Sequence, residues 1–351
     1  MISNIETVRA AYYETLKPLS LAPLWTVLKS LVTPEPNTPF VAHSWAYDDV
    51  RSLLTQAGEL ITAQEAERRV LILENPALPG ASCITRTLYA GLQLILPGEI
   101  APCHKHTQSA LRFVLEGSGA YTAVDGERAI MEPFDLVLTP NGRWHDHGND
   151  TDQPMIWLDG LDIPLVSALD ASFSEHLENR AQHPQTLSPA DCQARWGANM
   201  RPARGGSVFS SAAAPLFHYP YRQWRDALDR MSLSGAPDAY DGYAMEFINP
   251  VDGGPVMTTI SAFCHAMPQG FAALPQRSTD GMVFVGVEGS GTLVIDGAEH
   301  PVAPRHVIVV PAWAERQIVA DEHLILFSYS DRATQQKLNL WRESRPSLAK
   351  S

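Results

Sequence analysis

The sequence predicts a mainly β protein: two jelly-roll β-barrels with an N-terminal helical arm and a helical connector. Two observations lead there. One hairpin signature occurs twice, as Val114-Leu-Glu-Gly-Ser-Gly119 followed by Ala123-Val-Asp-Gly126, and as Val287-Glu-Gly-Ser-Gly291 followed by Val294-Ile-Asp-Gly297. Such self-similarity marks a duplicated structural unit. Strand-like alternation sets in around Val70-Leu-Ile-Leu73 and continues through Leu88-Tyr-Ala-Gly-Leu-Gln-Leu-Ile-Leu96, the pattern of half-buried strands.

Each element follows from local pattern. Val8, Tyr12 and Leu16, then Leu24, Val27, Leu28 and Leu31, recur at helical spacing, with Pro34-Glu-Pro36 as a breaker. Residues 1–66 are therefore read as the helical arm, and 67–165 as the first barrel. Residues 166–237 are polar and rich in proline and glycine, with a helix expected from Tyr221 to Met231, and form the connector. The second barrel spans 238–331. Arg332–Glu343 reads as a short closing helix within the C-terminal segment 332–351.

The chemistry is concentrated in two segments of the first barrel, Gly98-Glu-Ile-Ala-Pro-Cys-His104-Lys-His106 and Pro140-Asn-Gly142-Arg-Trp-His145-Asp-His147-Gly-Asn149. Two histidines one residue apart point the same way on a strand. A third imidazole from a distant strand completes a facial set of neutral nitrogens that can hold a first-row metal with open positions. This spacing resembles the two motifs of the cupins, small antiparallel barrels with a metal at the mouth. Two departures stand out. The glutamate usual after H-x-H is absent, with Ala110 in its place, so His104, His106 and His145 are the expected ligands. Phe134 replaces the glycine six residues before Pro140, a local turn variation. In the second copy, Gln276-Arg277-Ser278 occupy the places of His104-Lys105-His106, and no histidine matches His145; that barrel is expected to bind no metal and to serve packing and assembly.

Composition narrows the function classes. At 351 residues there is ample material for two domains, and a net charge of −13 argues against nucleic acid or an anionic membrane as partner. No apolar run approaches a membrane span, and the acidic start Met1-Ile-Ser-Asn-Ile-Glu does not look like a signal peptide, so a cytoplasmic location is expected. Cys83, Cys103, Cys192 and Cys264 lack C-x-x-C spacing and fit reduced thiols.

More specific strings span nearly the whole chain: Glu67-Arg-Arg-Val-Leu-Ile-Leu-Glu-Asn-Pro76, Tyr89-Ala-Gly-Leu-Gln93, His104-Lys-His-Thr-Gln-Ser-Ala-Leu-Arg-Phe113, Trp144-His-Asp-His-Gly148, Trp157-Leu-Asp-Gly-Leu-Asp162 and Asn249-Pro-Val-Asp-Gly-Gly254. With these the sequence resembles the gentisate 1,2-dioxygenases, bicupin ring-cleaving enzymes whose relatives act on salicylate or 1-hydroxy-2-naphthoate. The resemblance implies one Fe(II) per chain on His104, His106 and His145, gentisate or a related aromatic hydroxy acid and O2 as substrates, maleylpyruvate as the product from gentisate, and a homotetramer. Arg112, six residues after His106, shares the inward strand face and suits a carboxylate clamp better than a lysine would; the alternative is a surface salt bridge. Of Arg68 and Arg69 one can reach the pocket, and the resemblance favours Arg68. His147 shares a face with His145 and reads either as an acid or base or as a support for the ligands. Asp159 is read as orienting His147 or a substrate hydroxyl, with Asp162 a competitor for that role. Gln93 and Gln108 have inward parity and can bond substrate oxygens. Tyr89 and Gly91 are expected to line the pocket, Gly91 leaving room for a ring or marking a bulge. A cupin isomerase on zinc or manganese would want a fourth protein ligand, and a storage-type bicupin would not need three aligned imidazoles.

Overall fold

The structure, a computed structural model, describes residues 2–177, 181–182, 187–203 and 214–346. It divides into two compact units, Met1–Asn37 and Thr38–Ser351. The first is a pair of helices, Ile2–Leu16 and Leu24–Leu31, joined by a 3-10 turn at Lys17–Leu19 that contains Pro18. Trp25 Nε1 donates to the Tyr13 hydroxyl at 3.1 Å and links the two helices.

The sequence reading placed all of 1–66 in the arm, whereas residues 38–66 belong to the larger unit. A strand β1 (His43–Trp45) pairs with a strand of the second barrel. Helix Tyr47–Leu60 then packs on the first barrel, burying Leu54 completely and setting Gly58 against Leu94 and Leu96. Helical periodicity is the same whether the apolar stripe meets another helix or a sheet, which is why the pattern alone does not divide this region.

The first barrel contains β2 (Arg69–Ile72), β3 (Tyr89–Ile95), β4 (Ile100–His106), β5 (Ala110–Glu116), β6 (Tyr121–Val124), β7 (Glu127–Ile130), β8 (Leu136–Thr139), β9 (His145–Gly148) and β10 (Met155–Leu161). The connector adds β11 (Ser174–His176) and β12 (His218–Tyr219), giving antiparallel sheets ordered β12-β8-β5-β10-β3-β2 and β11-β4-β9-β6-β7. Phe134, at φ 67°, takes the left-handed turn where the motif has glycine, and Arg305, at φ 69°, does so in the second copy. A side chain there costs on the order of 1–2 kcal/mol, offset locally by packing of Phe134 on Phe113 and Tyr221.

The second barrel repeats the plan with β13 (Tyr243–Glu246), β14 (Ser261–Met267), β15 (Arg277–Ser278), β16 (Met282–Glu288), β17 (Gly291–Ile295), β18 (Ala298–Val302), β19 (Val307–Val310), β20 (Arg316–Ala320) and β21 (Leu324–Ser330). Its larger sheet runs β1-β19-β16-β21-β14-β13. The connector helix spans Tyr221–Ser232, and the closing helix stops at Lys337, short of the expected Glu343, because Asn339 turns left-handed at φ 57°. The last residues of the C-terminal segment, 347–351, and positions 178–180, 183–186 and 204–213 of the connector lie outside the described residues.

The two barrels share one core. Phe113 and Phe327 stack at 4.0 Å with planes 6° apart, both fully buried, an arrangement contributing about 0.5–1.5 kcal/mol beyond its buried area. Gly160 is bare because the Tyr329 ring occupies the space of a Cβ, 2.8 Å away, and the Tyr329 hydroxyl donates to Tyr89 O at 3.0 Å. Asp162 also ties the barrels, accepting from Ser109 N at 2.9 Å and Thr259 Oγ1 at 2.5 Å. Burial pushes its carboxyl up to about 6 from 3.8. The folded state thus holds this proton more tightly than the unfolded chain, so the Asp162 contribution is most favourable below pH 3.8 and is lost as pH rises through about 6. Asp162→Asn is therefore expected to gain stability relative to the unmodified protein between pH 4 and 7, by roughly 1–3 kcal/mol. Parallel melting-temperature curves for the two proteins across that range would contradict this.

Candidate metal centre and substrate cavity

Strands β4 and β9 are antiparallel neighbours with His104 directly opposite His145, and His106 follows two residues along β4. A register shift between Ala101 and His104 precedes the pair. One ring nitrogen of each of the three imidazoles lies within 4.8 Å of the others, the one such cluster of three among the described residues. Backbone carbonyls orient the rings: His106 Nδ1 donates to Gln108 O at 2.8 Å and His145 Nδ1 to Arg143 O at 2.9 Å. The Nε2 atoms are thereby left as lone pairs, as metal-ligating histidines require. His145 Nε2 is buried with no hydrogen-bond partner among the described residues. Arg68 Nη2 lies 2.7 Å from His104 Nδ1 and 3.0 Å from its Nε2, so a cationic group lies against the edge of that ring.

Burial holds the imidazoles neutral, reinforced by nearby guanidinium groups. His104 is pushed down to about 2, His106 to about 4, and His145 lies well below its usual value. Three neutral nitrogens with an orphaned buried lone pair fit a divalent first-row metal. In the second barrel the matching register, Ile295 opposite Arg316 where Val124 faces His145, puts a buried guanidinium at the third ligand position. A cation placed there opposes a metal ion.

Beside the three-histidine cluster opens a cavity of about 390 Å³, lined by Arg68, Tyr89, Gln93, Gln108, Arg112 and Asp159 together with His104 and His106. The ambiguity between the two adjacent arginines is resolved: Arg68 reaches the cavity, whereas Arg69 turns away to a bidentate pair with Glu99 at 2.9 and 3.0 Å. Arg112 is 3 % exposed; its Nη1 donates to Thr139 Oγ1 at 2.9 Å and its Nε lies 3.4 Å from Asp159 Oδ1. Among the described residues Nη2 makes no hydrogen bond. Burial lowers Arg112 to about 10, still cationic at neutral pH, and raises Asp159 against the opposing pull of Arg112. Gln93 Oε1 is buried and has no hydrogen-bond partner among the described residues.

Three expectations change. Asp159 does not orient His147: it accepts from Trp157 Nε1 at 3.0 Å and faces Arg112, while His147 Nδ1 is held by Thr122 Oγ1 at 2.9 Å. His147 is fully buried, 5.8 Å ring to ring from His145, and is absent from the cavity wall, because β6 and Trp157 enclose it. Gly91 also stays off the wall, since Val70 Cγ1 and the Tyr89 hydroxyl fill the space of its missing Cβ at 2.6 and 2.8 Å. The glycine makes room for the tyrosine. Conversely, Ser172, Phe173, Ser174 and His176 line the cavity from the connector. Their one sequence signal is the short run Ser172-Phe-Ser-Glu-His176, too brief to read as a strand without its partner β4.

Fold and site together define a cupin with a three-histidine cluster that could hold a metal in one of two barrels, and the Cupin domain model matches residues 91–161. Comparison with characterised proteins gives gentisate 1,2 dioxygenase 1 of Aquipseudomonas alcaligenes, 48% identical over 96% of this chain and 96% of that protein. The 5-aminosalicylate 1,2-dioxygenase of a Comamonas species is 35% identical, covering 97% and 91%. Among solved structures, the salicylate 1,2-dioxygenase of Pseudoaminobacter salicylatoxidans, an adduct with gentisate, superposes with a TM-score of 0.92 at 33% identity, over 97% of this chain and 94% of that one. The chain belongs to the gentisate 1,2-dioxygenase family, and is an oxidoreductase of the 1,2-dioxygenase class. Among the described residues no helix is long and apolar enough to cross a membrane.

Proposed function

We propose that the protein binds one Fe(II) per chain on His104, His106 and His145 and cleaves gentisate between its carboxyl-bearing carbon and the adjacent hydroxyl-bearing carbon, with O2, to give maleylpyruvate. The observation that carries the substrate is the 48% identity to a gentisate dioxygenase over almost the full length of both chains. Iron supplies a Lewis acid for substrate oxygens and a route for electrons between ring and O2. The protein's own residues bind and orient. Arg112, whose Nη2 makes no hydrogen bond to the described residues, and Arg68 present two guanidinium groups to an aromatic carboxylate. Asp159 balances the charge of Arg112 at 3.4 Å, and Thr139 Oγ1 accepts from its Nη1. The orphaned Gln93 Oε1 is an acceptor for a substrate hydroxyl. Both oxygen atoms enter the product, so no external reductant is consumed. His147, walled off from the cavity, acts on this reading through His145 and not on substrate. Four free, buried cysteines suit a reducing cytoplasm, and assembly as a homotetramer completes the reading.

The test is anaerobic loading with Fe(II) followed by oxygen uptake on gentisate, salicylate and 1-hydroxy-2-naphthoate. Uptake on gentisate alone is expected. Equal uptake on the monohydroxylated acids moves the protein toward the salicylate dioxygenases, and no uptake on any of the three overturns ring cleavage.

A further inference from the structure

The internal duplication runs beyond the barrels. Asp162 and Asp331, which follow β10 and β21, each accept a backbone N–H from the matching strand approach, Ser109 N and Gly281 N, both at 2.9 Å. A short helix follows each, Ile163–Ala168 and Arg332–Lys337, and then a left-handed residue, Asp170 at φ 53° and Asn339 at φ 57°. Next, Phe173 O accepts from Thr107 N at 3.1 Å, and Arg342 O accepts from Thr279 N at 2.9 Å. Finally β11 lies antiparallel on β4 with Ser174 opposite His106, and a strand Glu343–Ser344 lies on β15 with Glu343 opposite Ser278. Each barrel thus carries a strap across its ligand-bearing strand. Two residues further on, the strap brings one side chain to the first ligand position: His176 opposite His104, and Arg345 onto Gln276, the counterpart of His104.

The two side chains behave differently there. Arg345 Nε donates to Gln276 Oε1 at 3.1 Å, and its guanidinium pairs with Asp241, whose carboxylate also accepts from Gln276 Nε2 at 2.7 Å. The strap residue of the second barrel is consumed by a fixed network. His176 lines the substrate cavity, its ring 6.1 Å from that of His104 with planes 25° apart, and it makes no side-chain hydrogen bond to the described residues. The strap that carries it is nevertheless held, by its pairing with β4 and by contacts of its other residues: Lys105 pairs with Glu175 at 3.0 Å, Gln108 Nε2 donates to Ser172 Oγ at 2.7 Å, and Phe173 N donates to Thr107 Oγ1 at 3.1 Å. A polar side chain carried into a cavity by a held strand, with its hydrogen-bonding capacity unspent, is suited to a ligand.

We propose that His176 contacts the bound aromatic acid, forming a hydrogen bond with an oxygen that faces the cavity mouth, and that the strap Ser172–His176 sets its position. The inference rests on the ring-cleavage reading above and names a residue that acts within it. The test compares kcat and KM for gentisate in Fe(II)-loaded unmodified protein, His176→Ala and His176→Gln, with metal content and melting temperature measured on each. His176→Ala is expected to raise KM by about 3–10-fold while iron content and melting temperature hold, and His176→Gln is expected to recover part of the loss. An unchanged KM in His176→Ala, beside an active unmodified enzyme, overturns the proposal alone, as does a fall in bound iron, which would mark His176 as a support of the metal. An unmodified holoenzyme that consumes no oxygen with gentisate or salicylate overturns the ring-cleavage reading, and this proposal with it.

Discussion

His145→Ala is expected to abolish metal binding and oxygen uptake together. The residue is 1 % exposed, its Nδ1 is committed to Arg143 O, and its Nε2 is a buried lone pair with no partner among the described residues. An unsatisfied buried acceptor costs about 1–3 kcal/mol, and a metal ion is the partner this geometry lacks. Removing the ring leaves two ligands on one strand and no anchor from β9. Metal analysis after reconstitution, with oxygen uptake on the same sample, reads the result. A variant that retains one equivalent of metal would remove His145 from the ligand set. The same loss is expected for His104→Ala and His106→Ala, whereas His147→Ala should lower metal affinity or turnover only partially, because its ring meets the centre through His145.

Arg112→Met is expected to weaken aromatic acid binding by roughly 10–100-fold, the scale of a lost hydrogen bond to a charged group. Methionine keeps much of the buried volume and removes the charge. Arg112→Lys should recover less than full affinity, since an ammonium lacks the planar fork that suits a carboxylate. Removal also strands Asp159, buried beside it, so a drop in melting temperature should accompany the binding defect. The double variant Arg112→Met with Asp159→Leu separates the two effects. Stability should return in it and affinity should not. Unaltered saturation by gentisate in both variants would place the carboxylate elsewhere.

The clustering of His104, His106 and His145 and the inward placement of Arg112 were legible in the sequence because period-two alternation on β4 and β5 assigns an inward face from spacing, while the spacing of the second motif supplied His145. The same rule offers Arg68 and Arg69 without choosing between them. The choice is made by Glu99, far along the chain, which captures Arg69. For His147 the parity was inward, yet inward proved to mean the interior beneath Trp157 and Thr122, a matter of depth that alternation does not encode. The strap was hidden for a different reason. Ser172–His176 sits in a polar connector with little strand propensity of its own, and its extended form is imposed by the backbone of β4. Likewise the strand His43–Trp45 exists through its pairing with β19.

A protein of net charge −13 with two guanidinium groups in the cavity beside its three histidines carries opposite fields at different ranges. Beyond about 8 Å, the Debye length at physiological salt, the surface repels an organic anion only weakly, because mobile ions screen it. Inside the cavity screening fails and the attraction of Arg68 and Arg112 survives. Capture of a carboxylate is then a short-range event. Diluting the salt strengthens the outer repulsion without improving the inner grip, so substrate association should slow as ionic strength falls, the reverse of enzymes whose whole surface draws the substrate in.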